Sequence, residues 1–292
     1  MNLEPYRTEL FQLAYGMLGS VATAEDIVQE AWFRLERAES IRNPRAFLRT
    51  TVSRLALDEL RSAHARRVCY AGPWLPEPLP MDDDATADPE AHLALAEALS
   101  MATLVVLEQL TPAERAAFLL REVFDTEYAE VARLLGRSET ASRQLVRRAR
   151  QHLSAHRPRF DTYRAAHQSL LDAFVHASTT GDLAGLKALL TDDVQLTSDG
   201  GGKVVAARKP ILGRDRVARF FIGICRKRPD VRFAPRPLSQ QPGVWMAAPD
   251  EPPTAIIFAI ADGQITAIYA VRNPQKLAHL VPDDEDHGPT PT

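Results

Sequence analysis

Between residues 137 and 159 the chain carries seven arginines, Arg137, Arg143, Arg147, Arg148, Arg150, Arg157 and Arg159, against one carboxylate, Glu139. Guanidinium groups at that density suit phosphate oxygens and base edges. Small polar residues open the segment, so Ser138, Glu139, Thr140 and Ser142 would meet base edges, with Arg143, Arg147 and Arg150 reaching phosphates further along. A second run, Arg42, Arg45, Arg49, Arg54, Arg61, Arg66 and Arg67, suits a phosphate track. A third constellation has the opposite sign: Asp26, Gln29 and Glu30, with Phe33 beside them, form either a docking surface or merely a solvated face. Acid/base chemistry is less well served. The eight histidines, His64, His92, His152, His156, His167, His176, His279 and His287, all fall outside the strand candidates. His167 and His176 lie on a helix from which a pocket is within reach, but core or surface positions suit them better. Asp193 and Asp199 are the remaining bases, the first better placed to support a turn and the second part of a glycine motif. Cys69 and Cys225 lie far apart and neither sits in a C-x-x-C pair, so no disulfide scaffold, metal centre or cofactor is expected.

These residues need elements to hold them. From Leu3 to His64 the pattern is helical, broken at Asn43-Pro44, where proline can open a new helix without losing a needed hydrogen bond. Ala24, Ile27, Val28, Ala31 and Leu35 make one apolar face, which leaves the Asp26 to Phe33 set on another. From Ala91 to Leu153 three or four further helices are predicted. Thr111-Pro112-Ala113-Glu114 is a capping box with proline at the first helical position. Tyr128, Val131, Ala132 and Leu135 make a short apolar face, Gly136 turns the chain, and Ser138 caps a helix with Ala141, Leu145, Ala149 and Leu153 inward. Two helices about a glycine turn suggest a helix-turn-helix. A plain helical hairpin with a solubilising arginine face is the alternative.

From about Arg164 the expectation changes to a helix, a short helix (Asp182 to Leu190), and strands near Val194 to Ser198, Val204 to Arg208, Val231 to Leu238, Val244 to Ala247, Ala255 to Ala261 and Ile265 to Val271. A helix at Arg214 to Arg226 interrupts them. Asp262-Gly263 suits the type I′ turn of a hairpin. The prediction is an α+β domain with a curved, mostly antiparallel sheet and helices on one side.

At 292 residues, 45% hydrophobic and 25% charged, the chain is long enough for two or three units with real cores. Its net charge of -3 conceals blocks of opposite sign. Residues 1–40 hold seven acids and three arginines, residues 41–70 seven arginines and two acids, and residues 71–100 seven acids with no lysine or arginine. The last block begins with prolines 73, 76, 78 and 80, which disfavour helix, so an extended linker is predicted. The divisions expected are 1–70, a linker 71–92, 93–157, 160–280 and a disordered tail 281–292. No apolar run approaches a membrane span and no export signal opens the chain, so a cytoplasmic protein without membrane partners is expected.

The residues also carry a resemblance over nearly the whole chain. Tyr15-Gly16-Met17-Leu18-Gly19-Ser20, Ala24 to Ala31, Asn43-Pro44-Arg45-Ala46-Phe47-Leu48, Leu57-Asp58-Glu59-Leu60-Arg61 and Leu110 to Arg115 resemble regions 2 and 4 of the extracytoplasmic-function (ECF) sigma factors. Trp74-Leu75-Pro76-Glu77-Pro78, Asp199-Gly200-Gly201-Gly202-Lys203-Val204 and Asn273-Pro274-Gln275-Lys276-Leu277 resemble the type with a C-terminal SnoaL-like extension, ECF group 41. Gln275 replaces that group's usual aspartate. The resemblance implies two all-α sigma domains followed by an α+β SnoaL-like domain, in a non-enzymatic factor that takes core RNA polymerase (β′ clamp and β flap) to promoter DNA. Asp26, Gln29, Glu30 and Phe33 would meet the polymerase. Arg42, Asn43, Arg45, Arg49, Ser53, Leu57 and Arg61 would serve the -10 element, with a flipped base captured by the loop at roughly Glu36 to Pro44 and adjoining DNA met by the helix that follows. Ser138, Glu139, Thr140, Ser142, Arg143, Arg147 and Arg150 would read the -35 duplex.

The same resemblance implies that the extension controls activity through Trp74, Leu75, Pro76, Glu77 and Pro78, through Asp199, Gly200, Gly201, Gly202 and Lys203, and through Asn273, Pro274, Lys276 and Leu277. It would replace a separate membrane anti-sigma factor. Three glycines permit close approach, so their turn is expected to receive a linker aromatic such as Trp74. The rival readings are a fused isomerase- or cyclase-like domain, a small-molecule sensor, and a repressor that binds DNA without polymerase.

Overall fold

The computed structural model describes residues 4–38, 40–67, 69–80, 95–156 and 164–281. Three helices come first, α1 (Glu4–Leu18), α2 (Val21–Arg37) and α3 (Pro44–Arg67). Four follow the linker: α4 (Met101–Leu107), α5 (Pro112–Phe118), which continues through a π-helical turn at Leu119–Val123, α6 (Tyr128–Leu135) and α7 (Glu139–His156). The Thr111 capping box forms in full, Gly136 turns at φ 64°, and Ser138 Oγ accepts from Ala141 N at 3.2 Å. These local signals place the helix ends where the sequence does. Both groups of helices share one apolar core, from Leu10 and Tyr15 through Leu48 and Leu60 to Leu119, Leu145 and Leu153.

The C-terminal part runs α8 (Arg164–Thr180), α9 (Leu183–Ala188), β1 (Leu190–Asp199), β2 (Ile211–Leu212), α10 (Arg214–Lys227), β3 (Arg232–Pro235), β4 (Gly243–Ala248), β5 (Glu251–Ala261) and β6 (Gln264–Val271). The sheet order is β2-β1-β6-β5-β4-β3, with β1 and β6 parallel and every other pair antiparallel. Asp262 and Gly263 both have positive φ, as the type I′ turn requires.

Two strand expectations need correction. Val204 to Arg208 forms no strand; the chain leaves the glycine turn irregularly, Val205 stands 88% exposed, and the edge partner of β1 is instead Ile211–Leu212. The strand expected over Val231 to Leu238 shortens to Arg232–Pro235, because Pro235 and Pro237 supply no ladder donor.

The sheet is buried on both faces, which explains the unbroken apolar run of β5. Ile256, Phe258 and Ile260 turn toward α8 and α10, where Phe174 packs edge-on against Phe221 and Phe258. Ala255, Ile257 and Ala259 turn the other way and share a core with Leu75 of the linker, Met101 and Ala102 of α4, and Leu277 and Leu280. Residues 73–79 form neither helix nor strand and are no solvated spacer: Leu75, Pro76 and Pro78 are buried. The division expected near residues 157–161, the linker beyond residue 80 and the tail beyond residue 281 fall outside the described residues.

Candidate nucleic-acid interface and interdomain contacts

Helix α2 buries Val21, Ala24, Ile27, Val28, Ala31 and Leu35 and turns Asp26, Gln29 and Glu30 to solvent. Phe33 is 43% exposed beside them, and Glu30 pairs with Arg34 at 2.8 Å. An acidic strip with an exposed aromatic is a ready surface for a basic protein partner. The N-terminus of α2 is tied to the linker: Ser20 caps it, and Glu77 accepts from Val21 N at 2.6 Å and from Ser20 Oγ at 3.0 Å. A carboxylate there is favoured by the helix dipole.

Along α3 the arginines divide. Arg42, Arg45, Arg54 and Arg61 are exposed, with Arg45 3.0 Å from Glu9 and Arg61 3.2 Å from Asp58. Asn43 spends its Oδ1 on Ala46 N, 3.0 Å away. Arg49 donates to Phe124 O at 2.7 Å and to Thr126 Oγ1 at 3.0 Å, while Thr50 donates to Glu130 at 3.2 Å. The segment entering α6 therefore lies over this part of α3. Ser53 and Leu57, expected to face DNA, are each only 3% exposed inside the helical core. Arg67 leaves the phosphate track altogether. It donates to Leu18 O at 2.5 Å, pairs with Glu108 and stacks on Trp74 at 3.5 Å. The Arg66 side chain is not among those described.

Helix α7 is different. Glu139, Thr140, Arg143 and Arg147 are exposed around its start. Arg143 lies 4.1 Å from the Tyr128 ring centroid and 3.5 Å from Glu139. Arg150 is bound to Glu122 at 2.5 Å. Ser142 is not outward: it is fully buried and donates to Ser138 O at 3.1 Å. The inward stripe is Ser142, Leu145, Val146, Ala149 and Leu153, with Ala141 only half-buried. A spacing of four alone drifts round a 3.6-residue helix, so a packed face alternates threes and fours.

The linker, the glycine turn and the Asn273 segment converge at one buried knot. Asp199, fully buried, accepts from Tyr70 OH at 2.8 Å and Leu75 N at 2.8 Å, and its Oδ2 lies 2.7 Å from Lys276 Nζ. Lys276 also donates to Leu75 O, with Nζ 3.9 Å from the Trp74 ring centroid. Asn273 donates to Tyr70 OH at 3.1 Å and caps a short 3-10 turn through Gln275 N. Burial holds the Lys276 ammonium down to about 8, opposed by Asp199, and it pushes the Tyr70 phenol well up, with Asp199 adding to the effect.

The expected seating of Trp74 in the glycine turn is not what forms. Gly201, at φ 58°, receives Tyr70 and the Asn273 amide, where a Cβ would collide. Trp74 instead lies against Gly19, whose φ of 65° and missing Cβ admit the ring. The Lys203 side chain stays exposed outside the knot, Pro274 is half-buried and Leu277 is buried. Gln275 is exposed, so the position where an aspartate is usual takes no side-chain part in the buried network.

Several connecting residues escaped sequence reasoning. Arg115 is 1% exposed; it donates to Gly16 O at 3.0 and 3.2 Å and pairs with Glu108, which also pairs with Arg67. A polar chain thus runs from α5 through Glu108, Arg67, Trp74 and Lys276 to Asp199. Tyr15, which donates to Glu77 O at 2.6 Å, Gln241, which accepts from Ala102 N at 3.1 Å, and His279, 2.8 Å from Pro78 O, fasten the same seam. Tyr15 and Arg115 fall inside the motif strings and Arg67 inside the basic run, but nothing in the sequence marks their partners.

On its opposite face the C-terminal sheet forms a cavity of about 780 Å³ with α10. Among the described residues no histidine lines it and Glu251 is the one lining carboxylate, and both His176 and Asp193 are exposed on the surface. Among the described residues no group of three or more His, Cys, Asp or Glu side chains gathers as a metal site, and no helix is long and apolar enough to cross a membrane.

Residues 3–67 match the family model of Sigma-70 region 2, and residues 100–153 that of Sigma-70, region 4. The chain is 39% identical over 287 residues to the ECF RNA polymerase sigma factor SigJ of Mycobacterium tuberculosis, spanning 94% of this chain and 92% of that one. It is 32% identical over 282 residues to the probable ECF RNA polymerase sigma factor SigI of the same species, spanning 94% and 93%. The crystal structure of SigJ superimposes with a TM-score of 0.75 at 34% identity, over 95% of this chain and 98% of that one.

Proposed function

The chain belongs to the ECF RNA polymerase sigma factors, alternative factors that direct transcription initiation, and from that premise we propose that its C-terminal domain holds it in a closed, restrained form. The observation that carries this reading is the cover over α3. Arg49 and Thr50, on the helix assigned to the -10 element, are bonded to Phe124, Thr126 and Glu130 of the region 4 half. Promoter DNA cannot lie along this part of α3 while that cover is in place. The Asp199 knot supports the restraint, because it ties the linker between the two sigma halves to the extension.

In this reading Asp26, Gln29, Glu30 and Phe33 dock on the polymerase β′ clamp, and the exposed arginines Arg42, Arg45 and Arg61 are available to promoter phosphates. Glu139, Thr140, Arg143 and Arg147 meet the -35 duplex through the exposed start of α7. Region 4 contacts the β flap. Binding to core polymerase opens the closed form, and no membrane anti-sigma factor is required. The extension is regulatory rather than catalytic in this reading: the carboxylate that lines its cavity, Glu251, is held between Arg228 and Arg272.

The test is in vitro transcription from the promoter upstream of the gene. Core polymerase is supplied with the full chain, a form ending at residue 160 and a form ending at Val271. Faster initiation by a truncated form than by the full chain supports the restraint, slower initiation by both truncated forms rejects it, and equal rates reject any regulatory role. If all three bind core but none initiates, the chain's use of that promoter is rejected.

A further inference from the structure

The cavity of about 780 Å³ beside α10 has a pronounced asymmetry. Its interior is apolar, formed by Phe220, Phe221, Ile224, Met246, Ile256 and Ala270. Its polar margin carries four cations, Lys203, Lys227, Arg228 and Arg272, against one anion, Glu251. Glu251 bridges two of the four, pairing with Arg228 and lying 3.1 Å from Arg272, and Asp230, outside the lining, also holds Arg228 at 3.0 Å, which leaves Lys203 and Lys227 as the excess charge. Lys203 and Lys227 enter no ion pair among the described residues. A volume in the range that encloses a small organic ligand, with an oily interior and excess positive charge at its margin, selects an apolar body that ends in an anion.

The position of Arg272 gives such a ligand a route to the knot. Its guanidinium donates to Thr254 Oγ1 at 3.2 Å, to Glu251 and to Val205 O, so it fastens the irregular 203–207 lip over the cavity. The same lip leads back to the glycine turn at Gly200–Gly202. On the strands, Ser198 and Arg272 line the cavity while their chain neighbours Asp199 and Asn273 form the knot. Arg272 N and Asn273 N both donate to Asp199 O, at 2.7 and 3.0 Å. The two sites are therefore opposite faces of the same two strand ends. A carboxylate that recruits the Arg272 guanidinium competes directly with Val205 O and Glu251 for its donors.

We propose that this cavity binds a medium- or long-chain carboxylate, and that its occupancy loosens the knot through Arg272 and the lip. The proposal rests on the regulatory reading above and adds the chemical class of its signal. A ligand can open the closed form only through a difference in affinity between the closed and open arrangements. Rupture of the Arg272 to Val205 contact supplies that difference.

The test uses the full chain carrying Trp32→Phe and Trp245→Phe, so that Trp74 in the knot is the only tryptophan. The probe is dodecanoate below its micellar range, compared with dodecanol, dodecyltrimethylammonium and acetate. Calorimetry should show dodecanoate binding at least about tenfold more tightly than any of the three, the discrimination expected when one charged hydrogen bond is gained or lost. Trp74 emission should change on binding. Lys227→Ala with Arg228→Ala should weaken binding by about tenfold, and Ile224→Phe with Ala270→Phe, which fill the cavity, should abolish it while the unfolding temperature is retained.

Equal affinity for dodecanol, or binding that survives both sets of variants, overturns the site. Binding with no change in Trp74 emission overturns the coupling. The two readings fail separately. Equal transcription by the full chain and the form ending at residue 160, without ligand, rejects the regulatory role even where dodecanoate binds. Unequal transcription without dodecanoate binding rejects the carboxylate site alone.

Discussion

Helices α3 and α7 both carry arginines on a surface suited to DNA, yet Arg49 of α3 is bonded to Phe124 and Thr126 whereas Arg147 of α7 stands in solvent. The contrast extends beyond these two residues. Polar groups along α3 are drawn into the body of the protein: Ser53 is buried, Thr50 is bonded to Glu130, and Arg67 is bound to Glu108 and stacked on Trp74. On α7 Ser142 is buried and Arg148 and Arg150 are paired with Glu114 and Glu122, but Glu139, Thr140, Arg143 and Arg147 around the helix start stay exposed. Under the proposed function a restrained factor keeps its duplex reader open and covers part of the helix that adjoins the base-capturing loop. Duplex contact without strand opening is then the expected behaviour of the free protein.

The largest effect on this difference should come from the knot. Asp199→Ala leaves Lys276 buried without its anion, a change that costs about 3–5 kcal/mol. Chemical denaturation should register that loss, and protease accessibility of residues 69–80 should rise. Unchanged stability would mean that the extension does not hold the linker. Next comes the acidic face of α2. Asp26→Arg with Glu30→Arg should weaken core polymerase binding by on the order of 2 kcal/mol, about thirtyfold in Kd, and leave the fold intact. Surface plasmon resonance with immobilised core checks it, and an unaltered Kd would detach this face from the polymerase.

A smaller effect concerns pH. In the closed form burial holds Lys276 near 8, below the 10.5 of a solvated lysine, so the open form binds more protons between those values. Closure should therefore gain on the order of 1 kcal/mol as pH rises from 7 to 9. Tyr70 has its pKa raised above the usual phenol value and contributes no titration in that window. Trp74 fluorescence across the range reads the change, and closure that weakens with rising pH would contradict the assignment of Lys276. The smallest effect is expected for Gln275→Asp. The side chain is exposed outside the knot, so stability should move by less than about 0.5 kcal/mol. A larger shift in a melting curve would show that the position acts on the seam.

Much of this was legible locally. Thr111-Pro112, Gly136, Ser138 and Asp262-Gly263 set helix ends and a hairpin through short-range geometry, and that geometry recurs in the fold. The three motifs of the knot were also visible as strings, though not the way they meet. Tyr70 rather than Trp74 fills the glycine turn, because the Trp74 ring finds a cationic slot between Arg67 and Lys276. The buried Arg115, Glu108 and Arg67 chain could not be read from spacing, since each partner is supplied by a distant element. Ser53 and Ser142 were misread for a related reason. A small hydroxyl is equally at home facing DNA or bonded inside a helix bundle, and only the packing decides between them.

The cover over α3 is the centre of the account, and a distance tests it most directly. Spin labels at Arg54→Cys on α3 and Arg133→Cys on α6, with Cys69→Ser and Cys225→Ser, report their separation by pulsed electron resonance. In the free chain the account predicts one short, narrow distribution, replaced by a longer one when core polymerase is added. The same distribution in both states would contradict it.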